Sequence, residues 1–371
     1  MAGVHELAGR RGYWHDRSLM PFRFDHGREA AEAIVLPILA LAASMVLFSL
    51  FLFAISADPF GVFHSIYRAA FGSWFSWQNT LVRAAPLMLT ALCTALPAYL
   101  GLVIIGGEGA FVIGGLAAAL AGLVLNGQPP WLVLTGMALT GMATGGVWIG
   151  LSGVLRHYRG VNETISSLLL NYIAIAVASH LFSGPFRDPK SLNKPSTSPI
   201  GEENMLGVIP GSDIHWGLAF GAAACLICWF LMHKTTFGFA SRIGGGNVKA
   251  ALMSGLPVGR LIVIVCFLAG AGGGLAGMIE VAAVHGSANS SLNANYGYTG
   301  ILVAFVARHH PIAIIPVAVL LGGIQASSGL IQRAQDLPDA TVLVMQGIIF
   351  VVILFSDTLY GRFKIFQQKT S

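Results

Sequence analysis

The residues in this chain that could do chemistry are few, and most of them lie inside apolar stretches. Glu108 sits in Gly106-Gly107-Glu108-Gly109, between the apolar runs 81–104 and 110–125. A carboxylate at the centre of a membrane helix costs about 2.5–3.5 kcal/mol on insertion scales, so it needs a purpose. It can cap backbone N–H groups and hold the break, or it can serve a moving solute or ion. Asn171 lies well inside the run 164–183, where its amide offers a donor and an acceptor to a solute or to a neighbouring helix. Glu163 opens that run one turn after Arg159, which reads as a helix cap with a salt bridge. Glu280 falls near the end of the run 261–283, and Asn289, Asn293 and Asn295 follow as turn formers or as lining of an outer mouth. Cys225-Leu-Ile-Cys228 has redox spacing, but it is embedded in an apolar run, so both cysteines read as small hydrophobes. No GxxxxGK[ST] or HExxH occurs, and His309-His310 has no partner ligands. The chain is therefore expected to be no enzyme, to hold no metal and to hydrolyse no ATP itself. The glycines of Gly270 to Gly277 lack the basic residue a phosphate needs and read as close helix packing.

The elements that must carry these residues follow from composition. Of 371 residues, 55% are hydrophobic and 10% charged, where a soluble domain carries about a quarter charged. The expected fold is an all-α polytopic membrane protein. About ten transmembrane helices are expected, near 33–56, 81–104, 110–125, 131–151, 164–183, 216–232, 261–283, 298–307, 312–330 and 341–355. Residues 58–79 are too polar to cross and suit an interfacial segment, while Pro86 and Pro97 are expected to interrupt the span that follows. The run 298–307 is too short to cross unless its ends are buried in protein. Around this transmembrane domain, 32–358, stand an N-terminal segment, 1–31, and a tail, 359–371. Some thirty polar, Arg-bearing residues precede the first apolar run, which is not the pattern of a signal peptide. With the N-terminus inside, fifteen of the 21 Lys and Arg fall on the cytoplasmic side, so both termini and the loop 234–260 are expected there. Topology thus accounts for the net charge of +5, and no nucleic-acid partner is implied.

The chain also divides. After a first helix, the regions 81–183 and 260–356 each read as span, glycine-marked break, span, span, span, with breaks at Gly106–Gly109 and His285–Gly300. Paired interrupted segments point to a translocation pathway in repeat-built transporters. Between the halves lies Thr236–Pro257, which is no ordinary polar loop. Gly244 to Gly246 are expected to break the chain, Asn247 to cap a helix from Val248 to Ser254, and Gly255 to close it in the left-handed conformation. Val248, Ala251, Leu252 and Gly255 recur at helical spacing, giving a small apolar face suited to docking. Without a partner it would be only a short interfacial helix.

Phe237-Gly238, Arg242, Gly244, Gly246-Asn247, Ala250-Ala251 and Gly255-Leu256 resemble the cytoplasmic coupling loop of ATP-binding-cassette importer permeases, in the branch with branched-chain amino acid, ribose and nucleoside permeases. Residues Gly101 to Gly115 are similar to that family's glycine-glutamate-glycine segment, although the usual Asn and Gln are replaced by Ile104 and Ala110. Val161-Asn162-Glu163-Thr164-Ile165 with Leu170-Asn171-Tyr172 resembles the nucleoside branch, and Tyr296-Gly297-Tyr298-Thr299-Gly300-Ile301 resembles another family segment. The resemblance implies a permease subunit for a small polar solute, a nucleoside or simple sugar, in the bacterial inner membrane. It implies ATPase subunits that grip the coupling loop, a second permease, identical or related, and an extracytoplasmic substrate-binding protein. ATP and Mg would be held by the ATPase, with no cofactor on this chain. Glu108, Asn171, Tyr296 and Tyr298 are the candidates for the translocation pathway. Two rival readings remain at this point: an ion-coupled secondary transporter using Glu108, and an intramembrane enzyme.

Overall fold

The computed structural model describes residues 27–191 and 194–359. The basic segment 1–26 and the tail beyond residue 359 therefore lie outside the described residues. What is described is helical, with two isolated bridges and no strand. Fourteen α-helices follow one another: α1 Gly27–Ala54, α2 Pro59–Phe71, α3 Trp74–Ala98, α4 Gly107–Val124, α5 Pro130–Arg159, α6 Glu163–Ser183 and α7 Gly217–Lys234. After these come α8 Thr236–Gly246, α9 Val248–Met253, α10 Val258–Glu280, α11 Tyr296–Val306, α12 Pro311–Ala326, α13 Ser328–Gln335 and α14 Ala340–Leu359.

Seven stretches are long and apolar enough to cross a membrane: α3 to α7, α10 with its continuation to His285, and α12 taken with α13. Shorter apolar stretches in α1 and α14 and the eleven-residue α11 complete the set. The expected all-α polytopic architecture is thus observed, with changed boundaries. Residues 58–79 are not one interfacial segment. Asp58 caps α2, accepting from Phe60 N at 3.1 Å and Gly61 N at 2.9 Å with Pro59 in the first turn, and Ser73 caps α3 by accepting from Ser76 N at 3.1 Å. Nor does Pro86 interrupt the next span. It lies inside an unbroken α3, where Thr90 Oγ1 lies 3.0 Å from the Pro86 carbonyl oxygen, and Pro97 falls in the last turn. Beyond α10, residues Val281–His285 form a π-turn, and Ser327 divides what looked like one span over 312–330.

The two halves pack crosswise. Helix α3 of the first half lies on α11 and α12 of the second, and α10 of the second lies on α4 and α5 of the first. Glycine permits this closeness: a Cβ at Gly274 would collide with the Gly141 carbonyl oxygen, and one at Gly277 with that of Phe111. The glycines of 270–277 are packing residues.

Candidate functional site

The short helices α4 and α11 begin inside the protein and meet end to end. Residues 101–105 run without helix toward the junction, held by Thr164 Oγ1 donating to Val103 O at 2.9 Å and Ile105 N donating to Ser167 Oγ at 3.1 Å. On the other side Asn295 turns left-handed at φ 62° and starts α11. Gly297 lies so close to α4 that a Cβ there would collide with the Glu108 backbone nitrogen. Two helix N-termini in contact bring together two partial positive poles and several orphan N–H groups. Glu108, fully buried, answers both: one carboxylate oxygen accepts from Asn295 N at 2.8 Å and the other from Gly297 N. The α4 end is closed in turn by Asn171 of α6, whose Oδ1 accepts from Gly109 N and whose Nδ2 donates to Tyr298 Oη at 2.6 Å. Thr90 Oγ1 donates to Tyr296 O at 3.0 Å, and the Tyr296 ring lies 5.6 Å from that of Phe111.

All four expected pathway residues, Glu108, Asn171, Tyr296 and Tyr298, therefore converge on one junction. Their roles differ. Each oxygen of Glu108 accepts from a backbone donor, so the carboxylate caps the other half's helix. Tyr296 is buried, whereas Tyr298 is partly open and also hydrogen-bonds the exposed Tyr172. Asn289 and Asn295 act as turn formers: Asn289 Oδ1 accepts from Ser291 N at 2.9 Å. Glu163 pairs with Arg156 at 3.3 Å and not with Arg159, because Gly160 turns the chain at φ 65° and carries Arg159 past it.

The segment Thr236–Pro257 folds as two helices. Contrary to expectation, Gly244 to Gly246 do not break it; they form the last turn of α8. Of the three only Gly245 is held by backbone, since a Cβ there would collide with the Tyr99 carbonyl oxygen, while Gly246 stands in open space; Gly238, at the start of α8, lies as close to the Met232 carbonyl. Arg242 ties α8 to the end of α7 by donating to the Met232 carbonyl, and Phe237 packs in the cluster around Met232. Asn247 then caps α9, its Oδ1 accepting from Ala250 N at 3.0 Å. Gly255 closes it at φ 76°, with Leu256 N donating to Ala251 O at 3.0 Å. The face expected to dock is split: Ala251 is buried against the protein, while Val248, Leu252 and the 90% exposed Met253 point away.

A capped, outward-facing apolar helix thus lies between α7 and α10, beside crosswise halves with broken helices. The profile of the family described as "Branched-chain amino acid transport system / permease component" matches residues 76–354. The chain belongs to this permease family. The permease is 28% identical to the glucose ABC transporter permease protein of Haloferax volcanii, over 89% of each chain. It is 26% identical to the guanosine ABC transporter permease protein NupP of Bacillus subtilis, over 88% of this chain and 94% of that one. With the nucleoside ABC transporter permease protein NupB of Lactococcus lactis it shares 25% identity, over 86% and 90%. It is a multi-pass membrane transport subunit of the ABC type and not itself an enzyme, and the family implies separate ATPase subunits and a substrate-binding protein.

Sequence reasoning missed one cluster in the permease. Arg83 opens the run 81–104 and Glu280 nears the end of the run 261–283, so neither position announces a partner. Glu280 is buried, 3.6 Å from His285 Nε2, and Arg83 lies near enough to act electrostatically on both Glu280 and Tyr296. The cluster joins α3 to α10 and α11, and the long polar connection lies over it, with Leu206 N donating to Ala282 O at 2.7 Å and Ile200 N to Gly286 O at 2.9 Å. The expected span 81–104 already holds Arg83, and an arginine inside a membrane helix needs a partner, which was the available signal.

Proposed function

We propose that the permease imports a nucleoside through a pathway opened by ATPase subunits that grip α8 and α9. The observation that carries the coupling is the exposed apolar face of Val248, Leu252 and Met253 on a helix capped at both ends. Three apolar side chains facing water cost free energy unless a partner covers them. A rigid α8, tied to α7 by Arg242 and to α3 by Gly245, can pass a push on α9 into the membrane. ATP and Mg reside on the ATPase, with no cofactor held by this chain. The second permease is a copy of this chain or a relative, and the pair receives solute from a binding protein.

Nucleoside is favoured over sugar by the segment Val161–Tyr172 and by four nucleoside or guanosine permeases among its relatives, against a glucose permease matched as fully and ribose and galactose permeases matched over 35% and 38% of this chain. Asn171, Tyr172 and Tyr298 supply amide, phenol and ring surface where the junction opens, groups suited to a base edge and a ribose. The excess of Lys and Arg supports a reading with the termini and the α8–α9 segment in the cytoplasm and the chain in the bacterial inner membrane.

The test is purification of the tagged permease from its own membrane in mild detergent, followed by uptake of labelled guanosine into vesicles. An ATPase should accompany the intact chain and be lost from Met253→Glu, which alters a side chain that makes no packing in the fold. Uptake should be competed by adenosine and not by ribose or glucose. Competition by glucose alone would replace the nucleoside reading with a sugar one. An ATPase that stays with Met253→Glu would remove α9 from the coupling contact.

A further inference from the structure

Where α5 ends and α10 begins, the surface carries an open groove of about 260 Å³ lined by Val154, Tyr158, Gly259, Arg260, Val263 and Ile264. Its shape depends on Gly259. The ring of His157 lies directly on that glycine, where a Cβ would collide with the imidazole, and stands against the Tyr158 ring at 4.6 Å. The groove is graded in polarity along the helices. Tyr158 and Arg260 lie in the terminal turns of α5 and α10 and are exposed. Val154, Val263 and the 46% exposed Ile264 lie one turn deeper, about 5–6 Å further into the span.

Charge at the rim is unbalanced. The stretches 154–163 and 257–264 carry Arg156, His157, Arg159 and Arg260 against one carboxylate, Glu163, which Arg156 takes at 3.3 Å. The first turn of α10 has no side-chain cap, so its N–H groups add to the positive field. A cationic, phenol-bearing rim over an apolar floor, at the end of two membrane-crossing helices, matches a phospholipid that carries negative charge.

We propose that this groove binds an anionic phospholipid, with its phosphate on Arg260 and Tyr158 and an acyl chain along Val154, Val263 and Ile264. The site lies beside the start of α10, directly after the coupling helix, so the bound lipid braces the chain where α9 returns to the membrane. This goes beyond the transport reading and does not depend on which solute is carried.

The permease with its co-purifying subunits is placed in nanodiscs of phosphatidylcholine with and without phosphatidylglycerol, and retained lipid is counted by native mass spectrometry. The intact complex should retain phosphatidylglycerol over phosphatidylcholine. Arg260→Gln should lower that retention about fivefold, the factor one basic residue contributes near an anionic surface. Val263→Trp, which fills the floor and leaves every charge in place, should displace the lipid as well. Lys249→Gln, on the coupling helix outside the groove, should change nothing. Equal retention of the two lipids by the intact complex overturns the proposal, as does an equal loss with Lys249→Gln. Loss of the ATPase from Arg260→Gln with lipid retention unchanged would also overturn it and give the groove to the ATPase.

Discussion

At the scale of single residues, the junction is decided by who satisfies the orphan N–H groups of two broken helices. Glu108→Ala leaves the Asn295 and Gly297 donors buried without an acceptor, at about 1–3 kcal/mol each. The expected outcome is a melting temperature several degrees lower and reduced uptake, with Glu108→Gln in between because one acceptor oxygen survives. Thermal unfolding in detergent measures the first and vesicle uptake the second. Uptake by the parent protein should not depend on a proton gradient, because the proposed driving force is ATP hydrolysis by the partner subunits. Asn171→Asp keeps the acceptor for Gly109 but loses the donor to Tyr298, so it should cost less stability than Asn171→Leu while still altering solute affinity. His309, in the turn between α11 and α12, shows the same logic outside the membrane. Burial holds its imidazole down to about 4, with Nδ1 against the Ala304 carbonyl at 3.3 Å. The unfolded chain binds that proton more readily, so the stability this residue contributes is present above the ordinary histidine range and is lost as pH falls from about 6.5 toward 4. His309→Gln should flatten that part of the pH–stability profile, read as the difference from the parent protein. The sequence named Glu108 and Asn171 because polar groups at membrane depth are conspicuous. It did not say which N–H groups they would meet, because those belong to residues 187 and 62 positions away.

At the scale of elements, the proposed coupling needs α8 and α9 to move as one. Asn247→Ala removes the cap of α9 and should cost about 1 kcal/mol of local stability. Gly255→Ala forces an L side chain into a left-handed conformation at the other end. Each should weaken ATPase co-purification without unfolding the membrane helices, which helical circular dichroism would show unchanged. Gly245→Ala is different in kind: its Cβ meets the Tyr99 carbonyl, so it should push α8 off α3 and uncouple ATP hydrolysis from uptake while the ATPase remains bound. The cap of α9 and its left-handed end were legible because Asn and Gly are residues for which those conformations cost little. The glycine turn was misread as a break because the same residue type serves flexibility and close approach, and only a neighbour's backbone distinguishes them.

At the scale of the whole molecule, crosswise packing makes each half depend on the other. Gly274→Leu should abolish folded protein, since α10 would part from α4 and α5 at the point where Gly114 and Gly141 meet it. The loss would be read as failure to recover monodisperse protein from detergent, whereas Gly347→Leu, in open space, should be recovered normally. Composition by itself determined that this is a polytopic helical membrane protein, because apolar runs of that length are stable only where backbone groups bond within the helix. The order of spans and breaks set the expectation of two halves of like pattern, and Asn247 with Gly255 located α9. Tertiary structure alone decided the rest. It put Arg83, Glu280, His285 and Tyr296 in one buried cluster, gave Glu163 to Arg156, and turned Ala251 inward and Met253 out. Each of these depends on which helix lies beside which, and in a chain apolar on nearly every face, periodicity carries little information about a helix's neighbours.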